Sequence, residues 1–145
     1  MQRKSLKTER CPVARTLDLI GEWWSLLILR DAFRGKKRFS EFQQSLGLAK
    51  NVLSARLRKL VDNDILEIVP ASDGSAYHEY VLTEKGNSLY TILVALRQWG
   101  EANLFKPGEK YPTLVDRKCS QPVKPLELRS KDGRLLKAKD VQLLR

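Results

Sequence analysis

Hydrophobic residues follow helical spacing in several segments of the chain between residues 12 and 104. In the segment from about Lys50 to Asn63, Leu53, Leu57 and Leu60 recur at intervals of four and three residues, which predicts an α-helix with one narrow buried face. Because successive residues turn by about 100° around a helix, small, polar and basic residues should occupy the opposite face. These are Asn51, Ser54, Ala55, Arg58 and Asp62.

A shorter helix is predicted just before this segment. Ser40 is the expected N-cap, because its hydroxyl can accept a hydrogen bond from an unpaired backbone N–H group. Gly47 is the expected C-terminal residue, because glycine tolerates the left-handed conformation that ends many helices. Together the two segments predict a helix–turn–helix.

Two strands are predicted after the second helix. They span Ile65 to Pro70 and about Tyr77 to Leu82, and Asp73-Gly74 supplies the turn between them. A helix–turn–helix followed by a β-hairpin predicts a winged helix–turn–helix, a mainly α fold with a small β-hairpin wing. The alternative is a small α+β core whose surface helix is basic but has no nucleic-acid partner.

Three further helices complete the predicted domain. One begins at Pro12 and ends at Gly21, and another, from Trp23 to about Phe33, is apolar enough to be the central core helix with both tryptophans buried. A long helix is expected to begin after Thr83, which can cap it, and to continue to about Leu104. Its apolar residues exceed what a small domain buries, so part of this face is expected to contact a second subunit.

The distribution of charge favours a polyanionic partner. The chain has 27 Lys and Arg against 17 Asp and Glu, a net charge of +10. Residues 30–59 alone carry nine basic and two acidic residues, a net +7, and they include the predicted helix–turn–helix. A basic surface of this kind binds nucleic acid by releasing counterions from phosphates. The other explanation, a solvated surface, accounts for the net charge but not for its concentration here.

Other classes of function find little support in the sequence. It contains one histidine and lacks a glycine-rich phosphate loop and a nucleophile elbow, so no catalysis and no cofactor are expected. No apolar run is long enough to span a membrane, and residues 1–10 lack the apolar core of a secretory signal. The expected location is the cytoplasm, where the two cysteines stay reduced.

The candidate DNA-binding residues come from three places: the basic turn before the helix–turn–helix, the polar face of its second helix, and the wing tip. Asn51, Ser54 and Arg58 are suited to base edges in the major groove, and the basic turn at residues 36–38 is suited to the phosphate backbone. Lys50, Arg56 and Lys59 are expected to divide between base edges and phosphates. The full set is Lys36, Lys37, Arg38, Ser40, Lys50, Asn51, Ser54, Arg56, Arg58, Lys59, Ser72 and Ser75. A non-specific nucleic-acid-binding or architectural protein remains the alternative function.

Five segments resemble those of one protein family, the HxlR-type winged helix–turn–helix transcriptional regulators, which are related to the MarR type. They are CPVARTLDLIG at 11–21, WSLLILRDAFRG at 24–35, RFSEFQQSLG at 38–47, LSARLRKLVDNDIL at 53–66 and YVLTEKG at 80–86. The resemblance implies a homodimer that binds a pseudo-palindromic operator in double-stranded DNA. It also implies dimerisation through the first and last helices, in agreement with their apolar residues Val13, Leu17, Leu89, Ile92, Leu93, Leu96 and Trp99.

The resemblance makes Cys11 a candidate redox sensor, because some members of the family respond to oxidants through a cysteine at this place. The alternatives are that Cys11 is a small structural residue, or that the effector of the protein is a small molecule. A reactive thiol would need exposure and a lowered pKa.

The expected organisation is a basic arm at residues 1–10, a winged helix–turn–helix domain at 11–106 and a basic extension at 107–145. The extension resembles a zinc ribbon that some relatives carry. This chain keeps one cysteine of that pattern, Cys119, but has Arg129 and Asp132 about where a Cys-x-x-Cys pair would be. Since structural zinc needs four Cys or His ligands, we expect a metal-free hairpin around Asp132-Gly133.

Overall fold

The computed structural model describes residues 4–144, so Arg3 of the expected N-terminal arm lies outside the described residues. The elements are α1 (Pro12–Ile20), α2 (Trp23–Phe33), α3 (Phe39–Leu46), α4 (Lys50–Asp62), β1 (Leu66–Pro70), β2 (His78–Leu82), α5 (Glu84–Asn87), α6 (Tyr90–Asn103) and a 3₁₀ turn (Ala138–Asp140). The chain divides into two compact units, residues 1–93 and 94–145.

The core of the first unit is built around α4. Leu53, Leu57 and Leu60 are 0–1% exposed, which confirms the buried face predicted from their spacing. They belong to one cluster with residues from every neighbouring element, namely Ile20, Ile28, Leu29, Phe42, Leu48, Ile65 and Leu66. Burial of these side chains holds α4 in place and leaves its polar face in solvent.

The prediction that both tryptophans of α2 are buried is wrong for Trp23, which is 69% exposed. Trp24 packs against the core, and the ring of Trp23 lies beside it with 5.4 Å between centroids. Neighbouring residues on a helix differ by about 100° in direction, so the two indoles leave α2 on different sides, and here the side of Trp23 is open to solvent. The core face of α2 contains Trp24 and Ile28.

The turn between α3 and α4 has the predicted geometry at its glycine. Gly47 has φ +67° and its N–H donates to the carbonyl of Gln43 at 2.8 Å, an arrangement that favours glycine. The predicted N-cap of α3 is wrong by two residues. The helix is capped at Arg38, and Ser40 lies exposed in the first turn.

The wing is an antiparallel pair of strands in which Leu66 faces Leu82, Ile68 faces Tyr80 and Pro70 faces His78. Each strand begins one residue after its predicted start, and Asp73-Gly74 forms the turn as expected, with Gly74 at φ +76°. The winged helix–turn–helix fold is therefore confirmed.

The long helix predicted after Thr83 is interrupted. Thr83 caps α5 as expected, accepting from the N–H of Gly86 at 3.0 Å, but the helix ends at Asn87 and α6 begins at Tyr90. Two side chains bond to backbone carbonyls at the interruption: the Asn87 amide donates to Thr83 O at 3.0 Å and the Ser88 hydroxyl to Lys85 O at 2.5 Å. Such local bonds compete with regular helical pairing.

Helix α5 is attached to the corner between α4 and β1. The Thr83 hydroxyl lies 2.5 Å from the carbonyl oxygen of Asp64, and the Lys85 ammonium donates to the carbonyl of Asn63 at 2.9 Å. Gly86 is buried there so closely that a Cβ atom would lie 2.1 Å from the carbonyl oxygen of Ile65. The carbonyls that follow α4 are thus held by α5.

The second unit contains little regular structure after α6. An isolated antiparallel bridge joins Arg129 to Leu135 around Asp132-Gly133, and another joins Val115 to Pro122. Within residues 4–144, no group of three or more His, Cys, Asp or Glu side chains is placed to hold a metal ion. Over the same residues, no helix is long and apolar enough to cross a membrane.

Gly86→Ala should lower the free energy of unfolding by more than about 2 kcal/mol, because the added methyl group would collide with backbone rather than with a movable side chain. Gly100→Ala in α6 is the matched control, since its Cβ would meet no atom within 4 Å. That substitution should raise the free energy of unfolding by about 0.5–1 kcal/mol through helix propensity. Urea unfolding followed by circular dichroism measures both, and similar effects at the two positions would contradict the close approach at Gly86.

Candidate DNA-binding surface

The solvent-facing side of α4 carries the residues predicted for base contact. Lys50, Asn51, Ser54 and Arg58 are all exposed, and Ala55 and Asp62 accompany them on the same side. The helix is long enough, at 13 residues, to present these groups along an extended face. Amide, hydroxyl and guanidinium groups are the ones that hydrogen-bond base edges in a major groove.

Two other basic residues of α4 have partners within the protein. The Arg56 Nε atom lies 2.9 Å from a carboxylate oxygen of Glu22, just before α2. The Lys59 ammonium donates to the carbonyl of Asp18 at 2.6 Å, near the C-terminal end of α1, where the helix dipole favours a cation. Both side chains are half-buried. They join α4 to the first two helices.

The basic turn between α2 and α3 is organised by Glu41. Its Oε1 atom accepts from the backbone N–H groups of Arg38 at 2.9 Å and Lys37 at 3.1 Å. These two bonds, helped by the charges of Lys36 and Arg38, lower the pKa of Glu41 below its usual value. The carboxylate therefore fixes the backbone from which the three basic side chains project.

The wing tip contains the two serines predicted for DNA contact, and both have internal bonds. The N–H and hydroxyl of Ser72 donate to Glu79 at 2.9 and 3.3 Å, and Glu79 is buried. The N–H of Ser75 donates to Asp73 Oδ1 at 2.9 Å. The tip is consequently an ordered turn, with the Ser72 and Ser75 side chains on its exposed surface.

Arg38 connects the start of α3 to this tip. One Nη atom donates to Asp73 and lies 3.5 Å from the Ser75 hydroxyl, and the guanidinium carbon lies 5.6 Å from the centre of the Tyr77 ring. Hydrogen bonds from Ser75, followed by that from Arg38, lower the pKa of Asp73 to about 2. Beside this contact, the N–H of Tyr80 donates to the carbonyl of Lys37 at 2.7 Å.

The residues expected at a dimer interface fall into two groups. Leu89 and Leu93 are half-buried and pack against the core of the first unit. The remaining five are exposed, and these are Val13, Leu17, Ile92, Leu96 and Trp99. The exposed group supplies large apolar side chains on both α1 and α6.

Cys11 and Cys119 are both free thiols with exposed side chains. Cys11 is the N-cap residue of α1, and its side chain makes no capping hydrogen bond. His78 lies exposed on the wing. Sequence reasoning did not identify Glu22, Asp73 and Glu79 as partners of the basic and polar residues, because each pair is formed by the tertiary structure or by the wing turn.

Comparison with known proteins agrees with this geometry. A model of the HxlR-like helix-turn-helix family matches residues 19–107. An uncharacterized HTH-type transcriptional regulator of Mycobacterium tuberculosis (strain ATCC 25618 / H37Rv), Rv3095, is 39% identical over 129 residues, which are 89% of this chain and 82% of that protein.

Solved structures share the fold. The crystal structure of PA1607, a proposed transcription factor, is 54% identical with a TM-score of 0.91 and covers 96% of this chain and 97% of its own. The redox regulator HypR in its oxidized form is 35% identical with a TM-score of 0.58, over 64% of this chain and 97% of that protein. The likeness to HypR is therefore confined to part of the chain, whereas that to PA1607 includes most of the C-terminal extension.

These matches and the exposed polar face of α4 lead to one assignment. The family model spans the helix–turn–helix, the wing and all of α6, and the relative from Mycobacterium tuberculosis is named as a transcriptional regulator of the HTH type. The chain belongs to the HxlR-like helix-turn-helix family of DNA-binding transcriptional regulators.

Proposed function

We propose that this protein is a homodimeric transcriptional regulator that binds a specific pseudo-palindromic operator in double-stranded DNA and acts in the cytoplasm. The observation that supports the proposal most directly is that α4 has one buried apolar face and one exposed polar face. Its leucines are completely buried, while Asn51, Ser54 and Arg58 are exposed together on the other side. A helix held in this way can enter a major groove without losing its packing.

Within this proposal the basic residues divide into two roles. Asn51, Ser54 and Arg58 contact base edges, with Lys50 at the start of the helix. Lys36 and Lys37 contact the phosphate backbone, together with the exposed hydroxyl of Ser40. The contacts of Arg56 with Glu22 and of Lys59 with Asp18 favour a role in orienting α4, in place of the DNA contacts expected from the sequence.

Dimerisation is proposed through the exposed apolar residues of α1 and α6. In a symmetric dimer of winged helices, two recognition helices reach successive major grooves when they are about 34 Å apart, and the operator then repeats with the same two-fold symmetry.

Replacing Arg58 by Ala should weaken operator binding by about 1–3 kcal/mol and relax the base preference at one position of each half-site. Replacing Lys37 by Ala should instead weaken operator and unrelated DNA alike and reduce the salt dependence of binding by about one counterion per subunit. Fluorescence anisotropy with both DNAs at several salt concentrations separates these effects. The operator is first selected from random-sequence DNA with the unmodified protein.

The same measurement distinguishes the architectural alternative. If the protein selects no sequence, and unrelated DNA displaces every bound fragment equally, the specific-regulator proposal is wrong. If Arg58→Ala lowers affinity for all sequences to the same extent, the assignment of Arg58 to base contact is wrong.

Leu96→Glu should raise the dimer dissociation constant by about a hundredfold, because association would bury an unpaired carboxylate. Ile68→Glu on the wing is the matched control, since Ile68 is 50% exposed and Leu96 is 51% exposed. Sedimentation equilibrium measures the dissociation constants of both variants. A Leu96→Glu variant as dimeric as the control would contradict the proposed interface.

The proposal extends to an oxidant as the effector, acting at Cys11. Exposure of the thiol and its place at the N-terminus of α1 favour a reactive cysteine over a buried structural residue. The likeness to HypR, a redox regulator, supports the same choice. A small-molecule effector is the alternative.

A mild thiol oxidant should lower operator affinity in the unmodified protein and in Cys119→Ser but leave Cys11→Ser unaffected. Cys119 is the matched control because it is the other exposed free thiol of the chain. Anisotropy before and after oxidation, with reversal by a reductant, measures the effect. An equal response of the two serine variants would remove Cys11 as the sensor.

A further inference from the structure

Arg38 belongs to the basic turn that sequence reasoning assigned to phosphate contact, yet its side chain is directed at the protein. It contacts three residues of the wing tip, Asp73, Ser75 and Tyr77, which lie 35 or more positions away in the chain. We propose that Arg38 is a positioning residue that holds the wing tip against the N-terminus of α3, and that Asp73 is its essential partner. This inference rests on the proposed DNA-binding function only where it concerns operator affinity.

Hydrogen bonds fix the backbone of Arg38 at the start of α3. Arg38 is the N-cap of α3, and its N–H donates to Glu41 at 2.9 Å. The preceding carbonyl, that of Lys37, accepts from Tyr80 in β2 at 2.7 Å. The side chain therefore starts from a rigid point at the base of the wing and reaches to its tip.

The contacts at the tip suit an arginine specifically. A guanidinium group can donate to a carboxylate and a hydroxyl while its flat face lies near an aromatic ring, whereas a lysine ammonium has no such planar fork. The Arg38 side chain is 30% exposed and that of Asp73 is 55% exposed. An isolated ion pair with this exposure contributes little, so the combination of three contacts is what gives the side chain a positioning role.

Neutralising Asp73 distinguishes the two possible roles of Arg38, because they predict opposite changes in DNA affinity. Asp73 stays ionised at neutral pH, because its pKa is about 2. If Arg38 is a phosphate ligand, Asp73 competes with the phosphate, and neutralising Asp73 strengthens DNA binding. If Arg38 positions the wing through Asp73, the same neutralisation weakens specific binding, even though it removes negative charge close to a polyanion.

Asp73→Asn is a suitable probe because it is nearly isosteric. Its remaining carbonyl oxygen can still accept from the N–H of Ser75, so the local turn is kept while the charged contact with Arg38 is lost. Glu67→Gln is the matched control, since it removes an exposed carboxylate from β1 at the base of the wing. Arg38→Lys keeps the positive charge but loses the planar geometry.

The experiment measures affinity for a selected operator and for unrelated DNA in these variants and in the double variant Arg38→Ala, Asp73→Asn. Asp73→Asn and Arg38→Lys should each weaken operator binding by about two- to fivefold, and the double variant should add little to either, because all three lose the same contact. Glu67→Gln should leave operator binding unchanged or strengthen it. Affinity for unrelated DNA should rise or stay constant in Asp73→Asn.

Hydrogen exchange of the wing amides in the free protein gives a second measurement that needs no DNA. The amides of Gly74, Ser75 and Tyr80 should exchange faster in Asp73→Asn and Arg38→Lys than in the unmodified protein, with no change in Glu67→Gln. Unchanged exchange, or tighter operator binding by Asp73→Asn, would overturn the positioning role. Failure to select any operator would overturn the proposed function instead, and the exchange rates would still test the contact at Arg38.

Discussion

The burial of three leucines in α4 is the constraint on which the rest of the structure depends. Leu53, Leu57 and Leu60 belong to one buried cluster with core residues from α1, α2, α3 and the base of the wing, so the rotation of α4 about its own axis is fixed by apolar packing. That rotation decides which residues are left in solvent. The polar face is thus a consequence of the core, and its chemistry can vary without changing the fold.

Ion pairs and hydrogen bonds add to the apolar packing that orients α4. Arg56 with Glu22 and Lys59 with Asp18 attach α4 to the first two helices, and Glu41 orders the turn before α3. These contacts use basic residues that the sequence alone places with the DNA-binding set. Net charge therefore overstates the number of cations available to a phosphate backbone, because some of them have partners within the protein.

The periodicity of the sequence was enough to predict the helices from Pro12 to Asp62, the wing and the buried face of α4, because each depends on local spacing. It could not predict which of two adjacent tryptophans faces the core, nor that Asn87 and Ser88 interrupt the last helix through their side chains. Partners of Arg56 and Lys59 lie 34 and 41 positions away. Contacts at that separation are products of the tertiary fold and leave no local pattern.

The attachment of α5 to the corner after α4 has a mechanical consequence. Thr83 and Lys85 bond to the carbonyls of Asp64 and Asn63, and Gly86 lies close to that of Ile65, so α5 is attached to the C-terminal end of α4. Leu89 and Leu93, just after this corner, pack against the core of the first unit. The backbone contacts of Thr83 and Lys85 hold the C-terminal end of α4 in addition to the burial of its leucines, so the helix is fixed at its end as well as along its length.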